Sequence, residues 1–261
     1  MVEILNMLLL AVVQGLTEFL PVSSSGHLVL FQHFLGVREG DIFFDVILHV
    51  GTLGSILVVY RREILRLLKF DRAATGYLTS LAVGTLPAVV VGLLFKSTFE
   101  ALFHSPVFAA GGLVFTAGIL FSTRYSSSSN SLGDPWVPRA PALPRALMIG
   151  AAQAFAILPG ISRSGSTIAA ALWAGLPRAE AARFSFLLSI PAVGGALVLQ
   201  LMDGQSSSPD ETGKLLLAGL AAFAVGLLAI RWTALAVVQS HFWKFSFYCL
   251  FVGVAVLLIL G

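Results

Sequence analysis

The sequence predicts an all-α polytopic membrane protein with an inverted-topology repeat, six full transmembrane helices and two re-entrant helical hairpins. Three observations predict this fold: the composition, the spacing of the apolar segments and an internal repeat. Hydrophobic residues make up 57% of the chain and charged residues only 11%, and the mean hydropathy is +0.91. Because soluble domains carry about 25% charged residues, a large soluble protein is a poor alternative. Cys249 is the only cysteine, which excludes an internal disulfide.

Six apolar segments approach the ~20 residues that cross a bilayer. They lie at 43–60, 78–95, 106–122, 183–202, 214–231 and 245–260. Two further apolar regions, 4–35 and 146–177, are interrupted by Pro, Gly and Ser. We predict that each is a re-entrant hairpin, because Pro21 and Pro159 break a helix near the centre of its region. A pair of short crossings is the alternative for each region.

Loop charges orient the spans, since cytoplasmic loops are rich in Lys and Arg. The basic loop 61–76 is predicted to be cytoplasmic and the acidic loop 203–213 to be outside. Each half then has one interrupted region and three crossings, so the second half is inverted relative to the first. The prediction is therefore one membrane domain over 1–261, divided into repeat one at 1–122, a linker at 123–145 and repeat two at 146–261.

The internal repeat is clearest in the two interrupted regions. The first contains Gln14-Gly-Leu-Thr-Glu-Phe-Leu-Pro-Val-Ser-Ser-Ser-Gly-His27, and the second contains Gln153-Ala-Phe-Ala-Ile-Leu-Pro-Gly-Ile-Ser-Arg-Ser-Gly-Ser166. Alignment of Ser23 with Ser162 brings three further pairs into register, namely Gln14/Gln153, Ser25/Ser164 and Gly26/Gly165. Such a pair indicates one site at the contact of two repeats.

The Ser/Gly runs are typical of an oxyanion site. Glycine lets backbone amides approach closely, hydroxyls donate hydrogen bonds, and a following helix N-terminus favours negative charge. An arginine between serines adds a planar fork for phosphate oxygens. One copy alone would be ordinary loop composition, but two copies predict phosphate binding. The candidate substrate-binding residues are Gln14, Ser23, Ser25, Gly26, Ser162, Ser164 and Gly165.

The two motifs contain three ionisable residues, namely Glu18, His27 and Arg163. A charge near the bilayer centre costs about 2.5–3.5 kcal/mol, so a site with a counter-ion or polar ligand is predicted. The alternative is a Glu18–Arg163 pair that only pins the repeats together. His27 is a candidate nucleophile, or a general base for Ser24 or water. Glu18 would orient His27, bind a divalent cation or take a proton.

The two motifs closely resemble the undecaprenyl-diphosphatase family of the bacitracin-resistance type, and the resemblance covers the whole chain. It implies an enzyme of the bacterial cytoplasmic (inner) membrane that hydrolyses undecaprenyl diphosphate to undecaprenyl phosphate and inorganic phosphate. This reaction recycles the lipid carrier for peptidoglycan synthesis. The resemblance also implies two re-entrant hairpins, an active site open to the outer side and dependence on a divalent cation.

By position, the resemblance assigns catalytic roles to Glu18, Ser24, His27 and Arg163. Gln14 stands where the family often has Glu, and His49 where Gln is expected. The expected cofactor is Mg²⁺ or Ca²⁺ bound with the diphosphate, with Glu18 as its protein ligand. The expected partners are a polyprenyl diphosphate lipid and the bilayer, with a homodimer left open and no nucleic acid. A lipid-phosphate flippase on the same inverted repeat is the alternative function.

Overall fold

Helices form the regular structure of residues 2–37, 42–129, 140–202 and 209–260, which the computed structural model describes. The described residues contain no strand. The helices of the first half are α1 Val2–Thr17, α2 Ser24–Leu35, α3 Ile42–Val59, α4 Arg61–Leu67, α5 Arg72–Leu94, α6 Lys96–Phe103 and α7 Pro106–Ser122. Those of the second half are α8 Leu143–Phe155, α9 Arg163–Trp173, α10 Arg178–Met202, α11 Pro209–Val238 and α12 Phe245–Leu260.

The predicted all-α membrane class is confirmed. Within the described residues, α5, α7, α11 and α12 are long and apolar enough to cross a membrane. A fifth span is added if α3 and α4, which bend by 77° at their junction, are counted as one. Each of the six predicted spans falls on a helix, namely α3, α5, α7, α10, α11 or α12. The count of six crossings stays a prediction.

Several predicted loops are partly helical. The basic loop 61–76 contains α4 and the start of α5, and α6 lies between the predicted spans 78–95 and 106–122. Helix α11 continues to Val238, past residue 231, where the predicted span ends. A helix gains one backbone hydrogen bond for each residue it adds, so it need not end where the apolar segment ends. Parts of the linker and of the acidic loop, 130–139 and 203–208, lie outside the described residues.

The start of α5 shows how a charged loop residue begins a helix. Asp71 is the N-cap of α5, and its carboxylate accepts the backbone N–H of Ala74 at 2.9 Å. This hydrogen bond, with the guanidinium of Arg66 at 2.9 Å, holds the pKa of Asp71 below its ordinary value. The cap satisfies a backbone donor that the first turn of the helix leaves free.

The two interrupted regions are helix–break–helix units that contact each other. The first break separates α1 from α2, and the second separates α8 from α9. A Cβ on Gly26 would lie 2.8 Å from the Cα of Gly160, and one on Gly160 would lie 2.0 Å from the carbonyl oxygen of Ala109 on α7. Gly160 also has φ +85°, in the left-handed region that glycine tolerates. Glycine therefore permits the close contact of the two breaks.

Side chains of the second half satisfy the backbone of the first break. Three consecutive carbonyl groups accept hydrogen bonds from it. Thr233 donates to Phe19 at 3.0 Å, Ser164 donates to Leu20 at 3.2 Å, and the Cys249 thiol donates to Pro21 at 3.7 Å. Non-helical backbone in a membrane protein requires such internal partners, because lipid offers none.

The second break has a corresponding support on α7. The Thr116 hydroxyl donates to the carbonyl of Gly160 at 2.8 Å and accepts the backbone N–H of Ser162 at 3.0 Å. Both breaks are thus fixed to neighbouring helices before any ligand binds.

Candidate active site

The Glu18 carboxylate lies at the centre of the candidate site and is 7% exposed. Its Oε1 accepts a hydrogen bond from Nη2 of Arg163, which begins α9. Its Oε2 accepts the hydroxyl of Ser24 at 2.7 Å and the amide of Gln14 at 3.1 Å. Nε2 of His49, on α3, lies 3.6 Å from the same Oε2. The structure therefore brings together Gln14, Glu18, Ser24 and Arg163, which the sequence assigned to one site.

The helices after the two breaks begin in the same way. Ser23 caps α2 by accepting the N–H of Gly26 at 3.2 Å, and Ser162 caps α9 by accepting the N–H of Gly165 at 3.0 Å. The cap hydroxyl lies 3.3 Å from the hydroxyl of Ser25 in the first copy and of Ser164 in the second. The predicted binding serines and glycines thus form two similarly capped helix N-termini, the kind of feature that attracts anions.

His27 is 2% exposed, and both of its ring nitrogens have partners. Nδ1 lies 2.8 Å from the carbonyl oxygen of Ser23, and Nε2 lies 2.9 Å from Oη of Tyr248 on α12. Because the ring folds back on the preceding helical turn, Nε2 is directed at α12. We expected Glu18 to orient His27, but the carboxylate instead contacts Ser24 and His49.

Two buried polar atoms beside the Glu18 carboxylate have no hydrogen-bond partner among the described residues. They are Oε1 of Gln14, an acceptor, and Nη1 of Arg163, a donor. Buried polar atoms are normally hydrogen-bonded, so an unpartnered atom points to a missing ligand. The amide oxygen suits a cation or a donor, and the guanidinium N–H suits a phosphate oxygen.

The ligand atoms available for a divalent cation are the side-chain oxygens of Gln14, Glu18 and Ser24. Mg²⁺ and Ca²⁺ prefer oxygen ligands. The described residues contain no group of three or more His, Cys, Asp or Glu that could hold a metal ion, and Arg163 already occupies one oxygen of Glu18. These residues therefore fit a cation that takes most of its ligands from the diphosphate and water.

Sequence reasoning did not assign three side chains that contact the site residues. His49 was noted only as a residue that stands where the family pattern has Gln, although it follows Asp45 by one helical turn and so lies on a polar helix face. Thr116 and Tyr248 lie in apolar helices without a motif, and Tyr248 is 221 positions from His27. No pattern in the sequence pointed to them.

These features define a multi-pass α-helical membrane protein with one buried, charged site at the contact of two similar helix–break–helix units. The profile of the family described as bacitracin resistance protein BacA matches residues 7–255. The chain belongs to this family, which confirms the resemblance drawn from the two motifs.

Three relatives named undecaprenyl-diphosphatase are similar over nearly the whole chain. The protein of Desulfatibacillum aliphaticivorans is 41% identical over 273 residues, covering 97% of each chain. That of Rhodopirellula baltica is 42% identical over 266 residues, covering 99% of each. That of Korarchaeum cryptofilum is 38% identical over 275 residues, covering 99% of this chain and all of its own.

Proposed function

We propose that this chain is an undecaprenyl-diphosphate phosphatase, which hydrolyses undecaprenyl diphosphate to undecaprenyl phosphate and inorganic phosphate. The observation that carries the proposal is the Glu18–Arg163 pair with Ser24 hydrogen-bonded to the same carboxylate, next to two serine-capped helix N-termini. The similarity to proteins named undecaprenyl-diphosphatase supplies the substrate. The product returns the lipid carrier to cell-wall synthesis.

The hydrogen-bond donors that have no protein partner in the site would bind the diphosphate. Nη1 of Arg163 donates to a terminal phosphate oxygen, and the first-turn amides of α2 and α9 add further donors. These groups are fixed by the caps and by Thr116, so they need little reorganisation when charge develops on the phosphoryl group. The polyprenyl chain lies among the apolar helices and keeps the substrate in the bilayer.

The first chemical step is attack by Ser24 on the terminal phosphorus. The Ser24 oxygen forms the new bond, the bridging P–O bond breaks, and undecaprenyl phosphate leaves with that electron pair. The hydroxyl proton passes to Oε2 of Glu18, to which it already donates at 2.7 Å. Protonation of Glu18 removes its charge, so the guanidinium of Arg163 is released to pair with the transferring phosphoryl group.

The second step is hydrolysis of the phosphoserine by water. The water oxygen bonds to phosphorus, the Ser24 oxygen leaves and recovers the proton from Glu18, and Nε2 of His27 accepts the water proton. The proton on His27 then departs with inorganic phosphate or to solvent. This assignment gives the attack to Ser24, because its hydroxyl already donates to the carboxylate that accepts its proton.

We also propose that a divalent cation takes part, with ligands from both the protein and the diphosphate. Glu18 and the free amide oxygen of Gln14 are the residues that would hold it. When bound, Mg²⁺ or Ca²⁺ neutralises charge on the diphosphate oxygens and makes phosphorus more open to attack.

We also propose the finer topology: six crossings, two re-entrant hairpins and inverted repeats. Helix packing supports it, because α1 packs on α11 and α3 packs on α11, while their counterparts α8 and α10 both pack on α5. The proposed domain is a single unit with repeats at 1–122 and 146–261. We place it in the bacterial inner membrane with the site open to the outer side. A homodimer stays a prediction.

The test of the function is phosphate release by purified protein in detergent with a short-chain prenyl diphosphate and Mg²⁺. We expect one inorganic phosphate for each prenyl monophosphate formed. A flippase would need a sealed membrane and would release no phosphate in detergent. If the purified protein releases no phosphate under these conditions, the proposal is contradicted. Chelation of the cation is expected to lower the rate, and added Mg²⁺ to restore it.

A further inference from the structure

Tyr248 contacts the proposed general base from a helix that carries no motif. Its Oη lies 2.9 Å from Nε2 of His27, and the two rings are nearly parallel, with an interplanar angle of 8°. His27 is 2% exposed, whereas Tyr248 is 46% exposed on α12. The phenol therefore separates the imidazole from its surroundings on this side of the protein.

Contacts made by neighbouring residues of α12 fix the position of Tyr248. Cys249 is fully buried, and its thiol contacts the carbonyl of Pro21 in the first break at 3.7 Å. At Gly253, a Cβ would lie 2.8 Å from the carbonyl oxygen of Ala110 on α7. Helix α12 is thus fixed against both the first break and α7, and Tyr248 has little freedom to leave His27.

The partners of His27 determine where its proton lies. A carbonyl oxygen only accepts hydrogen bonds, so the contact with Ser23 at 2.8 Å requires a proton on Nδ1. In the neutral ring, Nε2 then carries the lone pair, and the Tyr248 hydroxyl donates to it. Without that hydroxyl, the Ser23 carbonyl would still hold the proton on Nδ1, but Nε2 would be a buried acceptor with no donor.

We propose that Tyr248 is a positioning residue that acts through His27. Its hydroxyl donates to the Nε2 lone pair and holds the ring in place, and during hydrolysis it donates instead to the oxygen of the attacking water while that water donates to Nε2. The inference rests on the proposed function, in which His27 accepts the water proton. No atoms or electrons are exchanged with Tyr248, which keeps its proton throughout.

The test compares Tyr248→Phe with the unchanged protein. The substitution removes one oxygen from a half-exposed ring, so the unfolding temperature should be unchanged. We expect kcat for phosphate release to fall by about tenfold to a hundredfold, as for partial loss of general-base catalysis. Because Tyr248 does not bind the diphosphate, KM should change by less than about twofold. Tyr125→Phe, at an exposed tyrosine after α7, is the matched control and should keep the full rate.

A second readout is independent of turnover. In protein labelled with 15N-histidine, solid-state NMR reports whether Nε2 accepts a hydrogen bond, and the His27 signal is assigned by its loss in His27→Gln. The proton should stay on Nδ1 in both proteins, but in Tyr248→Phe we expect the Nε2 signal to move to the higher chemical shift of a ring nitrogen that accepts no hydrogen bond. If Tyr248→Phe does not fold, Tyr248→Trp, which keeps a ring and an N–H donor, is expected to retain the Nε2 shift of the unchanged protein and a measurable rate.

The outcomes separate this inference from the proposed function. A Tyr248→Phe protein that keeps its rate overturns the inference, and so does one that loses rate while its Nε2 shift is unchanged. For a Tyr248→Trp protein, the shift of an Nε2 without a hydrogen bond overturns it as well. If the unchanged protein releases no phosphate at all, the proposed function fails, and the Nε2 shift in Tyr248→Phe alone decides whether Tyr248 positions His27.

Discussion

Replacement of Arg163 by alanine is expected to lower kcat/KM for phosphate release by about a thousandfold or more. The substitution removes the free guanidinium N–H that would bind the terminal phosphate and the charge that would stabilise the transferring phosphoryl group. Arg163→Lys should recover only part of the rate, because a lysine keeps the charge but lacks the planar fork. Steady-state phosphate release in detergent measures both variants.

Loss of Arg163 also leaves the buried Glu18 carboxylate without its counter-ion. Breaking a buried ion pair in this way costs about 3–5 kcal/mol of stability, so inactivity of Arg163→Ala could reflect unfolding. The unfolding temperature of Arg163→Ala separates the two effects, since only protein that is folded at the assay temperature is compared for activity. In the double variant Glu18→Gln/Arg163→Ala, which removes both charges, the unfolding temperature should recover. Arg145→Ala, at an exposed arginine in α8, is the matched control. Near-normal turnover in folded Arg163→Ala would contradict the assignment.

Ser24→Ala is expected to lower kcat by about a thousandfold or more, since it removes the attacking oxygen and leaves binding largely intact. KM should change little, because the capping serines and Arg163 are retained. Ser122→Ala, which removes a hydroxyl at the end of α7, is the matched control and should keep the full rate. A Ser24→Ala protein with half of the normal rate would rule out Ser24 as the nucleophile.

Trapping distinguishes Ser24 from His27 as the attacking group. Substrate labelled with 32P at the terminal phosphorus is mixed with enzyme and quenched within a turnover. Phosphoserine survives acid, whereas phosphohistidine is lost in acid and survives alkali. We expect acid-stable label on the peptide containing Ser24, and label that survives only in alkali would transfer the role to His27.

The sequence predicts the helices well where apolar length decides them. Every predicted span falls on a helix, and the breaks lie at Pro21 and Pro159, because bilayer thickness and proline chemistry act locally. Helix ends are less predictable. The bend between α3 and α4 and the extension of α11 beyond Arg231 depend on packing and on interactions outside the apolar segment.

In the candidate site, too, the features carried by a motif could be predicted and those that depend on packing could not. Repetition of the Ser/Gly motif predicted that Glu18 and Arg163 would share one site. In the structure the two side chains form an ion pair. The partners of His27 could not be predicted, because Tyr248 has no motif and reaches the ring only through the packing of α12 on the first break. Contact across helices that are distant in sequence depends on the tertiary fold, which composition and spacing do not encode.

Isotope labelling in H₂¹⁸O tests the central claim most directly. The purified protein is incubated with a prenyl diphosphate in labelled water, and both products are analysed by mass spectrometry. Hydrolysis at the terminal phosphorus through Ser24 places one ¹⁸O in each inorganic phosphate and none in the prenyl monophosphate. Label in the prenyl monophosphate, or an absence of both products, would contradict the account.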